Sequence, residues 1–247
     1  MIDIKIADQI TKMRAAGKLT RETLEFIEKN IKHGVTPKQL DKLAYDYIIH
    51  NGGYPSCLGF EGYKYSTCMS VNNTIVHGVP TDEPLKEGDI ISVDLCVELN
   101  GFNGDSARTY PVGKISKARQ KLIDVTKQSF FEGIKNIKDG STVGDIGAQV
   151  QKYVEKHGFS VVRDLCGHGI GKTIHEEPPV PNFGKAGLGP KLHAGMTICV
   201  EPMVNAGDCQ VIFDKTDGWT VRTKDGSDAA HYENTILITK DGVEILT

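Results

Sequence analysis

Apolar positions along this 247-residue chain recur with two periods, and the alternation between them marks out helices and strands. Ile10, Met13, Leu24, Ile27 and Ile31 fall at helical spacing and predict one or two amphipathic segments across residues 7–32. Thr36-Pro37-Lys38-Gln39 reads as a helix start, with a threonine cap, proline at the first helical position and glutamine three residues after the cap. Leu40, Leu43, Ala44, Tyr47 and Ile48 give that helix its stripe, and Asn51-Gly52-Gly53 ends it. Helical patterns return over about 116–137 and 143–157. Between them the period falls to two. Ile91, Val93, Leu95, Val97 and Leu99 face one way, while Ser92, Asp94, Cys96 and Glu98 face the other. Asn100-Gly101 is a hairpin signal, and a two-residue turn there places Asp105 opposite Cys96, so that Asp94 and Asp105 share a face.

The second and fourth helical patterns repeat each other. Gly34, Thr36, Leu40, Tyr47, Ile48 and Gly52 match Gly140, Thr142, Ile146, Tyr153, Val154 and Gly158 at a constant offset of 106. Gly88, Ile91, Val93 and Asp94 match Gly195, Ile198, Val200 and Glu201 at 107. Two matches in the same order predict a duplicated helix-plus-strand unit. The expectation is one catalytic domain spanning 1–247, built of halves at about 1–110 and 111–247 with a groove between them.

Charge and composition narrow the function. A net charge of −3 gives no support for a specific nucleic-acid partner. No window approaches the roughly 18 apolar residues of a membrane helix. The six cysteines include no CxxC pair and read as buried free thiols of a reducing cytoplasm.

The candidate chemistry is acidic. Two carboxylates as close as Asp94 and Asp105 repel unless a cation or a shared proton lies between them. Glu201, the counterpart of Asp94, ends the apolar run Met196–Val200, and Glu233 sits in a similar strand pattern near the C-terminus. An imidazole joining such acids suits Mn²⁺, Fe²⁺, Co²⁺ or Zn²⁺. His168, in Gly167-His168-Gly169-Ile170-Gly171, is the candidate, its glycines expected to leave the backbone open to a ligand. That string fails both phosphate-binding fingerprints, because Cys166 and Lys172 stand where each requires glycine. His175 and His77 are further candidates, whereas His33, His50, His157 and His193 receive no role.

Taken in order, Cys57-Leu58-Gly59, Ser70-Val71-Asn72, His77-Gly78-Val79-Pro80, Asp94 with Asp105, the His168 string, His175-Glu176-Glu177-Pro178, Glu201-Pro202 and Glu233 resemble the methionine aminopeptidases, specifically the shorter type I group. The resemblance runs over nearly the whole chain. It implies an α+β pita-bread fold, with two pseudo-symmetric halves around a curved antiparallel sheet. It also implies two divalent metal ions, with Asp94 on one, Asp105 and Glu233 bridging both, and His168 and Glu201 completing the other. By the same carry-over Glu201 is the acid–base group, and His175 and His77 contact the scissile peptide. The methionine pocket is then lined by Cys57, Phe60, Tyr63, Cys68 and Trp219. Ile174, Phe60 and Asn234 depart from residues common in the family, and the first two imply an altered but still apolar pocket. The implied activity is removal of the initiator methionine from nascent polypeptides with a small second residue. The implied setting is a cytoplasmic monomer with transient ribosome association. Xaa-Pro peptidases of this fold usually carry a further N-terminal domain, and non-catalytic relatives have usually lost metal ligands. With all five ligand positions kept, the expectation is an active methionyl aminopeptidase.

Overall fold

A computed structural model describes residues 2–247. Its α-helices are α1 (Ala7–Glu28), α2 (Pro37–His50), α3 (Lys117–Ile134) and α4 (Val143–Lys156). A nine-stranded sheet gathers β1 (Tyr54–Pro55), β2 (Cys68–Val71), β4 (Ile90–Leu99), β5 (Phe102–Pro111), β7 (Gly167–Gly169), β8 (Glu176–Val180), β9 (Thr197–Val200), β14 (Glu233–Ile238) and β15 (Val243–Ile245). Three strands form a second sheet: β6 (Ser160–Val161), β10 (Met203–Asn205) and β13 (Ala229–His231). A third sheet joins β3 (Thr74–Val76), β11 (Val211–Phe213) and β12 (Val221–Thr223).

The main path of the large sheet is β1-β4-β5-β14-β9-β7-β8, antiparallel throughout and curled into a half-barrel. Strands β4 and β9, the two that matched in sequence, stand symmetrically on either side of the central β5–β14 pair. Each side has its own helices. Leu19, Leu24 and Ile27 of α1 and Leu40, Ala44 and Ile48 of α2 pack on Ile91, Val93, Leu95 and Val97 of β4. Leu122, Phe130 and Ile134 of α3 and Ile146, Val150 and Val154 of α4 pack with Ile198 and Val200 of β9. These contacts explain why the alternation in β4 has one apolar face: that face is the one under the helices.

The duplicated helices start alike. Thr36 Oγ1 accepts from Gln39 N at 3.2 Å, and Gln39 Oε1 accepts from Thr36 N at 2.9 Å. Before α4, Asp145 Oδ2 accepts from Thr142 N at 2.7 Å, so aspartate takes the part of the glutamine. Each such cap is worth about 1 kcal/mol. The hairpin register is the one the Asn-Gly turn predicted: Leu99 pairs with Phe102 and Cys96 with Asp105, with no bulge between. Asn100 and Gly101 both take positive φ, 57° and 78°.

The N-terminal pattern that left one or two segments open is a single helix, with Gly17 in its interior. Close approach explains that glycine. A Cβ on Gly104 of β5 would meet Gly17 N at 2.7 Å, and one on Gly17 would meet Leu246 O at 2.4 Å. The glycines around His168 need the opposite of the expected explanation. Gly167 and Gly169 are buried, and a Cβ on them would lie 2.3 Å from Cys199 O and 2.2 Å from Glu177 O. They let β7 fit tightly between β8 and β9 and do not open the site. All six cysteines are free, but only Cys68, Cys96 and Cys199 are buried, and Cys166 is exposed. Among the described residues no helix is long and apolar enough to cross a membrane.

The α1–β5 contact yields a stability prediction. Gly104→Ala should lower unfolding free energy by about 1–3 kcal/mol through overpacking. An unchanged midpoint in urea denaturation would show that the helix and strand can separate at no cost.

Candidate active site

Five consecutive strands of the large sheet each deliver one polar group. Asp94 comes from β4, Asp105 from β5, Glu233 from the start of β14, Glu201 from the residue after β9, and His168 from β7. All five line one cavity of about 390 Å³, together with His77 and His175. Register accounts for the convergence. Ala107 pairs with Asp94 on one side and with Glu233 on the other, which puts the three in one row across the sheet. Residues in register share a face, and Asp105 lies two positions along the same strand, on that face again. The single methyl of Ala107 leaves the space between the acids open.

The electrostatics of this cavity call for a cation. His168 Nδ1 lies 2.9 Å from Gly169 O and therefore carries the proton, which leaves Nε2 with a bare lone pair. That lone pair faces Glu201 Oε1 at 3.6 Å and Asp105 Oδ2 at 4.0 Å. Burial lowers His168 to about 4, so the ring brings no charge to balance the acids. Asp105 is raised to about 6, chiefly by burial, and its Oδ1 is buried without a hydrogen-bond partner. Burial and the surrounding carboxylates push Asp94, Glu201 and Glu233 well above the usual carboxylate range. Among the described residues no lysine or arginine lines the cavity. A divalent cation satisfies every one of these groups at once.

One atom each from Asp105, His168, Glu233 and Cys199 lies within 4.8 Å of the others. Cys199 carried no role in the sequence reading. Its thiol lies 3.6 Å from the Thr235 hydroxyl, and burial beside the acids pushes its pKa well up. Thr235 Oγ1 already donates to Asp105 O at 3.0 Å, so the Cys199 thiol donates its hydrogen to Thr235, which leaves the carboxylates and His168 as the donors.

A second cavity, of about 250 Å³, adjoins the first. Cys57, Phe60, Tyr63, Cys68 and Trp219 all line it, with Ile174, His77 and His175, and Asp94 and Asp105 border both cavities. Tyr63 and Trp219 meet edge to face at 5.0 Å, and Phe60 meets His175 at 5.2 Å. Burial pushes the Cys57 and Cys68 thiols up, so both stay uncharged, and Glu61 adds a carboxylate at the exposed rim of this wall. Trp219 follows β11, where Asp217 Oδ1 accepts from Trp219 N at 2.8 Å and from Thr220 N at 2.9 Å. His77 sits at φ 55°, a strained backbone that turns its ring to the site. Burial, then the neighbouring His175, lower His77 to about 4.

The loop that carries Ile174 and His175 is tied from two sides. Asn103 Nδ2 donates to Gly171 O and Lys172 O, each at 3.1 Å. Lys5 Nζ, almost fully buried, donates to Glu176 Oε2 at 2.6 Å. Asn234, the third departure, points away to the Arg108 guanidinium, which donates to its Oδ1 at 2.6 Å. His33, His50, His157 and His193 line neither cavity. His231 was missed altogether: it is 1% exposed and stands 3.7 Å from Glu201. Its two-residue spacing from Glu233 was the available signal.

A half-barrel that gathers four acids around one unprotonated imidazole nitrogen, beside a largely apolar cavity of one side chain's size, defines a metallohydrolase of the pita-bread fold. Relatives agree. A methionine aminopeptidase of Clostridium perfringens is 50% identical over 249 residues, covering 100% of this chain and 99% of that one. The crystal structure of methionine aminopeptidase from Rickettsia prowazekii matches with a TM-score of 0.99 at 45% identity, covering 100% of both chains. Prolidase from Pyrococcus furiosus shares the fold alone, at TM-score 0.79 and 20% identity, over 99% of this chain and 65% of that one. With the model of metallopeptidase family M24 matching residues 11–240, the chain belongs to that family and, within it, to the methionine aminopeptidases.

The raised carboxylates make ion binding pH-dependent. Acids protonated in the metal-free cavity must release protons when a cation enters, so affinity should rise as pH goes from about 6 to 8. Calorimetric titration with Mn²⁺ in buffers of different ionisation enthalpy reads the protons directly. A pH-independent affinity with no proton release would contradict the assignment.

Proposed function

We propose that residues 1–247 act as one catalytic domain, a methionyl aminopeptidase that removes the initiator methionine from polypeptides with a small second residue. The carrying observation is the junction of the two cavities at Asp94 and Asp105. A substrate residue whose side chain fills the apolar cavity has its α-amino group beside those acids and its first peptide bond in the acidic cavity. An internal residue would have to thread a further chain past Asp94, so the arrangement favours cleavage at the N-terminus. A flexible, unbranched thioether suits walls of thiol and aromatic groups.

Asp94, Asp105, His168, Glu201 and Glu233 would hold two divalent ions, drawn from Co²⁺, Mn²⁺, Fe²⁺ and Zn²⁺. Such ions supply Lewis acidity toward a carbonyl oxygen and acidify a water. The residues do the rest. Glu201 takes the proton of the attacking water and delivers one to the departing nitrogen. His175, exposed at the mouth and with its pKa lowered mainly by burial, presents a neutral ring whose N–H stabilises the developing oxyanion. His77 is neutral at physiological pH and orients the scissile amide. Ile174 and Phe60 shape the side-chain cavity while keeping it apolar. The protein acts in the cytoplasm as a monomer, in transient association with ribosomes, on N-terminal methionyl peptides and nascent chains.

Two measurements test this reading. Metal-loaded protein should release methionine from Met-Ala-Ser and leave Xaa-Pro peptides intact. The reverse preference would transfer it to the proline-specific relatives. Asp105→Ala should lose bound metal and at least about 100-fold in turnover together. Full activity with unchanged metal content would remove the acidic cavity from the chemistry.

A further inference from the structure

His231 ends β13, deep beneath the acidic cavity, and its backbone is fixed on both sides by Thr109. The Thr109 hydroxyl accepts from His231 N and donates to His231 O, each at 2.9 Å. The ring is 1% exposed, and neither Nδ1 nor Nε2 has a hydrogen-bond partner. An unpaired buried polar group destabilises the fold, so an imidazole kept in such a place calls for a reason. A carboxylate stands close by, Glu201, whose Oε2 lies 3.7 Å from His231 Nε2. The other oxygen of that carboxylate, Oε1, faces His168 Nε2 at 3.6 Å. The two oxygens of Glu201 are thus addressed by two imidazoles. One of these rings has its Nε2 bare, and the other has a nitrogen free to donate.

We propose that His231 is a positioning residue that donates its Nε2–H to Glu201 Oε2 and fixes the carboxylate plane, aiming Oε1 at the reaction cavity. A rotation of a few tenths of an ångström in either side chain closes the gap to hydrogen-bonding distance. Without the donor, Glu201 turns freely about its terminal torsion, which has broad preferences of its own. The geometry also gives His231 a wall function. It lines a separate groove with Arg108, Tyr232, Thr109 and Arg21, so it is the partition between that groove and Glu201. Replacement by a small residue would open the partition and mix two effects. The informative variants therefore keep the volume.

The inference rests on the reading of the acidic cavity as a metallo-aminopeptidase site, and the test separates the two. His231→Gln keeps an N–H donor at similar reach, whereas His231→Leu keeps bulk without a donor. Mn²⁺ affinity is measured by calorimetry on the whole protein, and kcat and KM on Met-Ala-Ser. For H231L we expect Mn²⁺ affinity and kcat each to fall by about 10–100-fold with KM little changed, and for H231Q both to stay within about threefold of the native values. Native-like behaviour of H231L, or a loss in H231Q equal to that in H231L, would overturn the proposal. If thermal melting shows H231L unfolded, His231→Met replaces it, of similar volume and likewise without an N–H donor, and carries the same expected loss. Failure of the native protein to release methionine sinks the functional reading instead, while the Mn²⁺ titrations still decide the role of His231 without substrate.

Discussion

Four carboxylates and the bare nitrogen of a neutral imidazole share one cavity, with no lysine or arginine among the described residues on its walls. That arrangement is repulsive in isolation, and the rest of the architecture can be understood as the means of enforcing it. The acids come from adjacent strands of a hydrogen-bonded sheet, so they cannot spread without breaking register. Folding energy supplied by two helix-covered cores holds them in place. A cation relieves the repulsion and is bound for that reason. The same proximity that costs stability in the metal-free protein gives the ion its affinity.

The duplication makes this economical. Two copies of a helix-on-strand unit face each other across β5 and β14, and each contributes an acid from the corresponding place, Asp94 and Glu201. The copies are no longer identical in what surrounds them. Asp94 borders the apolar cavity, whereas Glu201 stands between His168 and His231. A symmetric scaffold thereby carries an asymmetric site, with recognition of a side chain at one end and proton handling at the other. The tight glycine contacts at Gly17 with Gly104, and around His168, set the distances between layers that the asymmetry needs.

Much of this was legible in the chain because it rests on local periodicity. The Asn100-Gly101 turn fixes the β4–β5 register, and with it the shared face of Asp94 and Asp105. The capping threonines and the constant offset between α2 and α4 exposed the repeat. Strand pattern, repeat and hairpin parity singled out the four acids and His168, the family resemblance supplied their ligand roles and the pocket residues, and the structure gathers them into two adjoining cavities. What stayed hidden depends on contacts between distant segments. Nothing near Gly167 or Gly169 announces the carbonyls of Cys199 and Glu177 that exclude a side chain there, so those glycines were assigned to openness instead of tight packing. His231 looked like an ordinary neighbour of Glu233, because its relation to Glu201 arises from the pairing of β13 with β10, which sets His231 opposite Met203, just after Glu201. Cys199 was passed over as one more buried thiol, and it lies at the edge of the donor cluster.

The donor set itself is the claim on which the others stand. X-ray absorption spectroscopy of the cobalt-loaded protein reports which elements surround the ion. Carboxylate and water oxygens with the single imidazole of His168 are predicted, and no sulfur. A sulfur scatterer from Cys199, or a shell containing two or more imidazoles, would contradict the account.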